Sequence, residues 1–169
     1  SWIASTLPSS QVSIKSVLLD QERVVCGVGN WVADEVLFRA LIHPDSCSGA
    51  IAASTAACAA LASALSSVVT ETVHLLVMGE KIPDTWLFHH RWFKGRGRAL
   101  SMPDGGRIVF LTIAGRSTAV VEGVQKKYKS SVSALDKADK GPPGRGKKKC
   151  LTTKQHSTKS SRGTRKVKG

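Results

Sequence analysis

Apolar positions recur along the chain in blocks of different period. Residues 1–10 (SWIASTLPSS) show no convincing period and read as a lead-in. In VSIKSVLLD (12–20), Ile14, Val17 and Leu18 fall at helical spacing, which predicts a short helix. Residues 21–29 form a connection whose Val24 and Val25 are expected to plug the core beneath it. Asn30 then reads as an N-cap, with Asp34 and Glu35 in the early turns, where the helix dipole favours negative charge. Ala33, Val36, Leu37, Ala40 and Leu41 line one face of this second helix, and His43-Pro44 ends it. A longer helix is predicted from about residue 54 to 78, closed by Gly79.

The period changes after residue 80. Trp86, Phe88, Trp92 and Phe93 crowd together, and FKGRGR (93–98) adds glycines and arginines. PDGG (103–106) is a turn signal. RIVFLT (107–112) and STAVVE (117–122) read as strands joined by Ile113-Ala114-Gly115-Arg116, giving an antiparallel unit of two or three strands with a basic tip. From about residue 129 the apolar content collapses, and GPPGRGKKK and SSRGTRKVKG have almost nothing to bury. The predicted fold is mainly α with a small antiparallel β finger, followed by a disordered basic C-terminal tail. No internal repeat is evident.

Charge sharpens this division. Of the net +13 on 169 residues, residues 1–90 carry 4 Lys/Arg against 8 Asp/Glu, or −4. Residues 91–169 carry 21 against 4, or +17. A near-neutral half followed by a strongly basic one points to a polyanionic partner, nucleic acid first and an anionic membrane surface second. Cys26, Cys47, Cys58 and Cys150 stand singly without a C-x-x-C pair, which argues against a disulfide framework and a four-ligand zinc site. They read as reduced structural thiols of an intracellular protein. No signal peptide is visible, and the start at Ser1-Trp2 without Met reads as that of a fragment or processed product. IAASTAACAALASALSSVVT (51–70) is uncharged and long enough for a bilayer. Its Ala, Ser and Thr carry little insertion energy, so a globular helix is the expectation and no membrane partner is assigned.

Candidate chemistry begins with the glycine turn. Gly27-x-Gly29 lacks the third glycine of a dinucleotide fingerprint and follows a helical pattern rather than a strand. What remains is a glycine-rich turn leading into a helix N-terminus, whose free N–H groups and dipole suit an anion. A plain helix corner uses the same residues, and spacing alone leaves both open. Arg116, in IAGRST, is presented at a hairpin tip either to phosphate or to solvent. Lys15 reads as a lone, solvated helix lysine. His43, His74, His89, His90 and His156 show no metal-ligand spacing, and no paired carboxylates with a catalytic partner appear. No catalytic residue, metal or cofactor is therefore assigned.

Two stretches carry a resemblance. IKSVLLDQERVVCGVGNWVADEVLFRALIHP resembles the helix–two-turn–helix signature of the formamidopyrimidine-DNA glycosylase and endonuclease VIII family of base-excision repair enzymes. TWLFHHRWFKGRGRA and IVFLTIAGRSTAVVEGVQKKY resemble that family's C-terminal finger in its plant and algal form, where a zincless hairpin replaces the zinc-binding cysteines. The resemblance covers roughly residues 12–128. It implies a helix–two-turn–helix DNA-binding domain over 12–80, a zincless finger over 81–128 and a basic tail over 129–169, with 1–11 left from a missing N-terminal domain. By the same resemblance, Gly29 and Asn30 bind phosphates beside the damaged nucleotide and Arg116 contacts the phosphates flanking the lesion. Lys15 matches a lysine of the pattern near the lesion. Together these residues would pinch the backbone while the base flips out.

The resemblance also implies what is missing. The family's nucleophile is an N-terminal proline followed by glutamate, which forms a Schiff base at the sugar C1′ before strand cleavage. Neither that pair nor the β-hairpin lysine occurs here, and Trp31 stands where an aliphatic or tyrosine is usual. The chain is expected to bind double-stranded DNA with damaged or abasic sites, as a monomer, without excising a base. The alternative is a non-enzymatic chromatin or RNA-binding protein whose tail does the work. KKK and RKVK in the tail predict a nuclear address, with chloroplast or mitochondrion as alternatives.

Overall fold

The computed structural model describes residues 2–7, 10–93 and 100–129. Most of FKGRGR and the tail from residue 130, with Cys150 and the predicted disorder, lie outside the described residues. Ten elements follow in order. They are α1 (Trp2–Thr6), α2 (Ile14–Leu18), α3 (Asn30–Arg39), α4 (Ser48–Ala52), α5 (Thr55–Met78), α6 (Leu87–His90), a 3-10 turn (Arg91–Phe93), β1 (Leu100–Ser101), β2 (Arg107–Ile113) and β3 (Arg116–Val121). The fold is mainly helical with one three-stranded antiparallel sheet in the order β1-β2-β3.

The helical core forms because each helix supplies one apolar face. Ile14, Val17 and Leu18 of α2 meet Ala33, Val36 and Leu37 of α3, and Ala57, Leu61, Ala64 and Val68 of α5 complete the centre. The expected lead-in differs from what is found, because Ile3 and Leu7 are buried in this same core and α1 packs on α4 and α5. Four residues separate Ile3 from Leu7, one helical turn, but the run is too short for a period to declare itself. Helix α5 starts and stops as its sequence predicts. Ser54 Oγ accepts the Ala57 N–H at 3.2 Å, and Gly79 closes the helix at φ +68°. The far end of α5 leaves Val69, Val73, Leu76, Val77 and Met78 exposed. By length and composition alone, α5 is the one helix among the described residues that could cross a membrane.

Helix α3 ends earlier than His43-Pro44. It stops at Arg39, and Leu41 turns to φ +57° with its side chain exposed, while Ile42 takes the buried place expected of Leu41. The sheet has its own small core of Leu87, Met102, Ile108, Ala119 and Val121, against which Phe38 of α3 packs. Strands β2 and β3 pair from Ile108↔Val121 to Ile113↔Arg116, so the connection is the two residues Ala114-Gly115 rather than the four expected. Both have positive φ, +50° and +69°, as a type I′ hairpin requires. Beyond β3 the chain returns to the helices. Gln125 Nε2 donates to the Ile42 carbonyl at 2.9 Å and its Oε1 accepts the Val121 N–H at 2.8 Å. The sheet is thereby fastened to the α3 side of the helical core.

Candidate nucleic-acid interface

The turn before α3 is held from below. Val28 is buried, its carbonyl accepts from Gln21 Nε2, and Gly27 takes φ +86°, a conformation that glycine adopts without strain. Gly29, not Asn30, is the N-cap. Its backbone is extended, and as a glycine it makes no side-chain capping bond to the first turn of α3. The first N–H groups of this ten-residue helix consequently have no acceptor among the described residues. A Cβ placed on Gly29 would meet nothing within 4 Å, so the space before the helix N-terminus is open.

Asn30 is the first helical residue, and its side chain turns away from its own helix. Its Nδ2 donates to the Ser117 carbonyl on β3 at 3.0 Å, across 87 residues of sequence. Its Oδ1 finds no donor among the described residues. Arg116, next to that carbonyl, is exposed at the start of β3, and no carboxylate lies within ion-pairing distance of it among the described residues. The structure thus brings Gly29, Asn30 and Arg116 to one edge, where helix N–H groups and a guanidinium can meet the same anion.

Lys15 is the exception, and its reading as a lone, solvated helix lysine is corrected. It is 0% exposed, and its ammonium is already engaged, donating to Asp34 Oδ1 at 2.5 Å and to Thr118 Oγ1 at 2.7 Å. Burial pushes its pKa below the ordinary lysine value, against the pull of Asp34. Asp34 is the hub. Its Oδ2 also accepts from the Ala119 N–H at 3.2 Å and from Arg91 at 3.0 Å. One buried carboxylate therefore joins α2, α3, the 3-10 turn and β3, behind the open edge.

Glu35 does a similar job on the neighbouring face. It accepts from Arg39 at 3.2 Å and from the Phe88 N–H at 3.1 Å, and Arg39 reaches on to Glu71 at 2.8 Å. Asp34 and Glu35 are thus interior fasteners rather than dipole partners at the surface. Their signal in the sequence is position: both lie among the buried residues of α3, and Asp34 falls four residues after Asn30, on the side that meets the sheet. Trp31 packs edge-on against Phe88 at 5.1 Å, which accounts for the large ring at that place. No group of three His, Cys, Asp or Glu able to hold a metal occurs among the described residues.

Residues 1–83 match the formamidopyrimidine-DNA glycosylase H2TH domain. The match takes in α1 to α5 and the glycine turn before α3. It is 38% identical over 125 residues to the formamidopyrimidine-DNA glycosylase of Arabidopsis thaliana, covering 74% of this chain and 30% of that protein. It is 40% identical over 73 residues to that of Geobacter sulfurreducens, covering 43% of this chain and 26% of that protein. The chain therefore spans less than a third of these relatives. Among solved structures it resembles the Lactococcus lactis formamidopyrimidine-DNA glycosylase non-covalently bound to DNA containing an AP site. That match has a TM-score of 0.56 at 24% identity, over 75% of this chain and 46% of that one. MutM in complex with DNA containing carbocyclic 8-oxo-G gives 0.57 at 24% identity, again over 75% and 46%. At this identity the likeness is one of fold. Because it takes in three quarters of the chain, it reaches past the H2TH domain, whose match ends at residue 83.

Proposed function

We propose that the chain is the damaged-DNA-binding part of a base-excision-repair DNA glycosylase/AP lyase. The observation that carries this reading is the Asn30 Nδ2 hydrogen bond to the Ser117 carbonyl. It sets an open helix N-terminus beside an exposed arginine that pairs with no carboxylate among the described residues. The relatives named above are formamidopyrimidine-DNA glycosylases, and their solved complexes hold abasic-site or 8-oxo-G DNA, the ligands expected here. The partner in this reading is double-stranded DNA at an abasic or damaged site, gripped by a monomer. In this reading the three-stranded sheet acts as a finger without zinc, so chelating agents leave binding unchanged.

The lysine on α2 is buried and paired. The proposal therefore rests on the open edge and concerns binding. The test is fluorescence anisotropy with a duplex carrying a central tetrahydrofuran site and its undamaged counterpart. Asn30→Ala and Arg116→Ala are each expected to weaken abasic-site binding by about tenfold. Arg116→Ala, which removes a cation, is also expected to reduce the salt slope by roughly 0.9. Unchanged preference for the abasic duplex in both variants would overturn the assignment.

A further inference from the structure

A guanidinium on a two-residue hairpin turn is useful to phosphate only if the turn is held at a fixed depth. Hydrogen bonds to the backbone around Arg116 do this, and one of them comes from a buried hydroxyl. Thr118, 0% exposed, lies two residues after Arg116 on β3. Its Oγ1 donates to the Arg116 carbonyl at 3.2 Å and accepts from Lys15 Nζ at 2.7 Å. Lys15 Nζ is in turn anchored by Asp34 Oδ1, and it reaches the Ser117 carbonyl at 3.4 Å, the same oxygen that Asn30 Nδ2 holds. A hydroxyl supplies one donor and two acceptor sites, so a single threonine can take the ammonium on one side and pass its proton to the carbonyl on the other. The relay from α2 to the Arg116 backbone is complete without water.

We propose that Thr118 is a positioning residue for DNA binding. It ties the backbone of Arg116 to the buried Lys15–Asp34 pair, and so sets where the guanidinium meets phosphate relative to the N-terminus of α3. The inference rests on the phosphate-clamp reading above. Lys15 and Asp34 act through this tie and do not themselves touch DNA.

The full 169-residue chain is titrated with the tetrahydrofuran duplex over a range of salt, as the parent, Thr118→Val, Thr118→Ser, Arg116→Ala and the double variant Thr118→Val/Arg116→Ala. Valine has the shape of threonine without the hydroxyl, and serine keeps the hydroxyl. Thr118→Val is expected to weaken binding by about tenfold and to lower the salt slope by about 0.9, the signature of one lost phosphate contact. Thr118→Ser is expected to bind like the parent. In the Arg116→Ala background, Thr118→Val is expected to add no further loss, because the residue it positions is gone. A purely structural threonine would instead lower affinity equally in both backgrounds, and that additive result would overturn the proposal. So would parental affinity and slope in Thr118→Val. Should the valine variant fail to fold by circular dichroism, Thr118→Ala is read in the same cycle. If Arg116→Ala itself is silent, the clamp reading fails, and this inference with it.

Discussion

At the scale of single residues, the decisive feature is how much charge the H2TH helix takes indoors. Asp34 and Glu35 are 0% and 1% exposed, yet each has its donors in place, and a buried carboxylate persists only when it is so paired. Their surroundings still differ. Burial raises the Glu35 pKa from its ordinary 4.5, against the pull of Arg39 and the Phe88 N–H. A carboxyl whose folded pKa lies above its unfolded one binds its proton more tightly in the folded state. Its contribution to stability is therefore complete below pH 4.5 and is lost as pH rises through the folded pKa. Glu35→Gln has no such titration. Urea unfolding of parent and variant from below pH 4.5 to neutrality is expected to show the parent's advantage shrinking as pH rises. A difference that stays constant or grows across that interval would disprove the raised pKa. None of this was legible in the sequence, where an acidic pair near a helix start reads equally well as a surface partner of the dipole. Residue type shows that a charge exists, and only the three-dimensional partner shows whether it faces water.

At the scale of elements, the legible parts were those with long, unbroken patterns. The helix over 55–78 carries its own start and stop, Ser54 and Gly79, and both act as the local chemistry requires. The two long strands lie within a residue of their expected ends. Short elements escaped where too few apolar positions mark a repeat: α1 offers little beyond Ile3 and β1 has two residues, whereas the equally short α2 declares itself through Ile14, Val17 and Leu18. The end of α3 escaped for a different reason. Leu41 continues the apolar pattern but is displaced by the left-handed turn that puts Ile42 inside, a choice made by tertiary packing. The hairpin turn offers a direct test of local chemistry. Ala114 sits at φ +50°, which a Cβ disfavours, whereas asparagine tolerates it and is preferred at this place in a type I′ turn. Ala114→Asn is expected to stabilise the fold by about 0.5 to 1 kcal/mol, read as a rise in Tm. A lower Tm would show that the Ala114-Gly115 turn is not type I′.

At the scale of the whole molecule, two sources of DNA affinity coexist, and they scale differently. Residues 130–169 carry 12 Lys/Arg against 2 Asp, so removing them takes the net charge from +13 to +3. Such a segment attracts any polyanion by releasing counterions, equally for intact and damaged duplex. The edge built from Gly29, Asn30 and Arg116 has a fixed geometry, which a flexible abasic site can meet more cheaply than a stacked duplex can. The ratio of the two affinities therefore cancels the tail and isolates the edge. Deleting residues 130–169 is expected to weaken binding to both duplexes and to flatten the salt slope, while the abasic preference stays within about twofold of the parent. The same deletion removes KKK and RKVK, so a fluorescent fusion should lose the nuclear accumulation that we propose for the full chain. Charge alone makes the opposite forecast. If the tail did all the binding, the truncated chain would retain no measurable affinity for either duplex, and Asn30→Ala and Arg116→Ala would have been silent from the start. The glycine turn, ambiguous as sequence, gains its meaning only from the strand 87 residues away that its asparagine holds. The abasic preference of the truncated chain is the quantity that reports on that contact without interference from the tail.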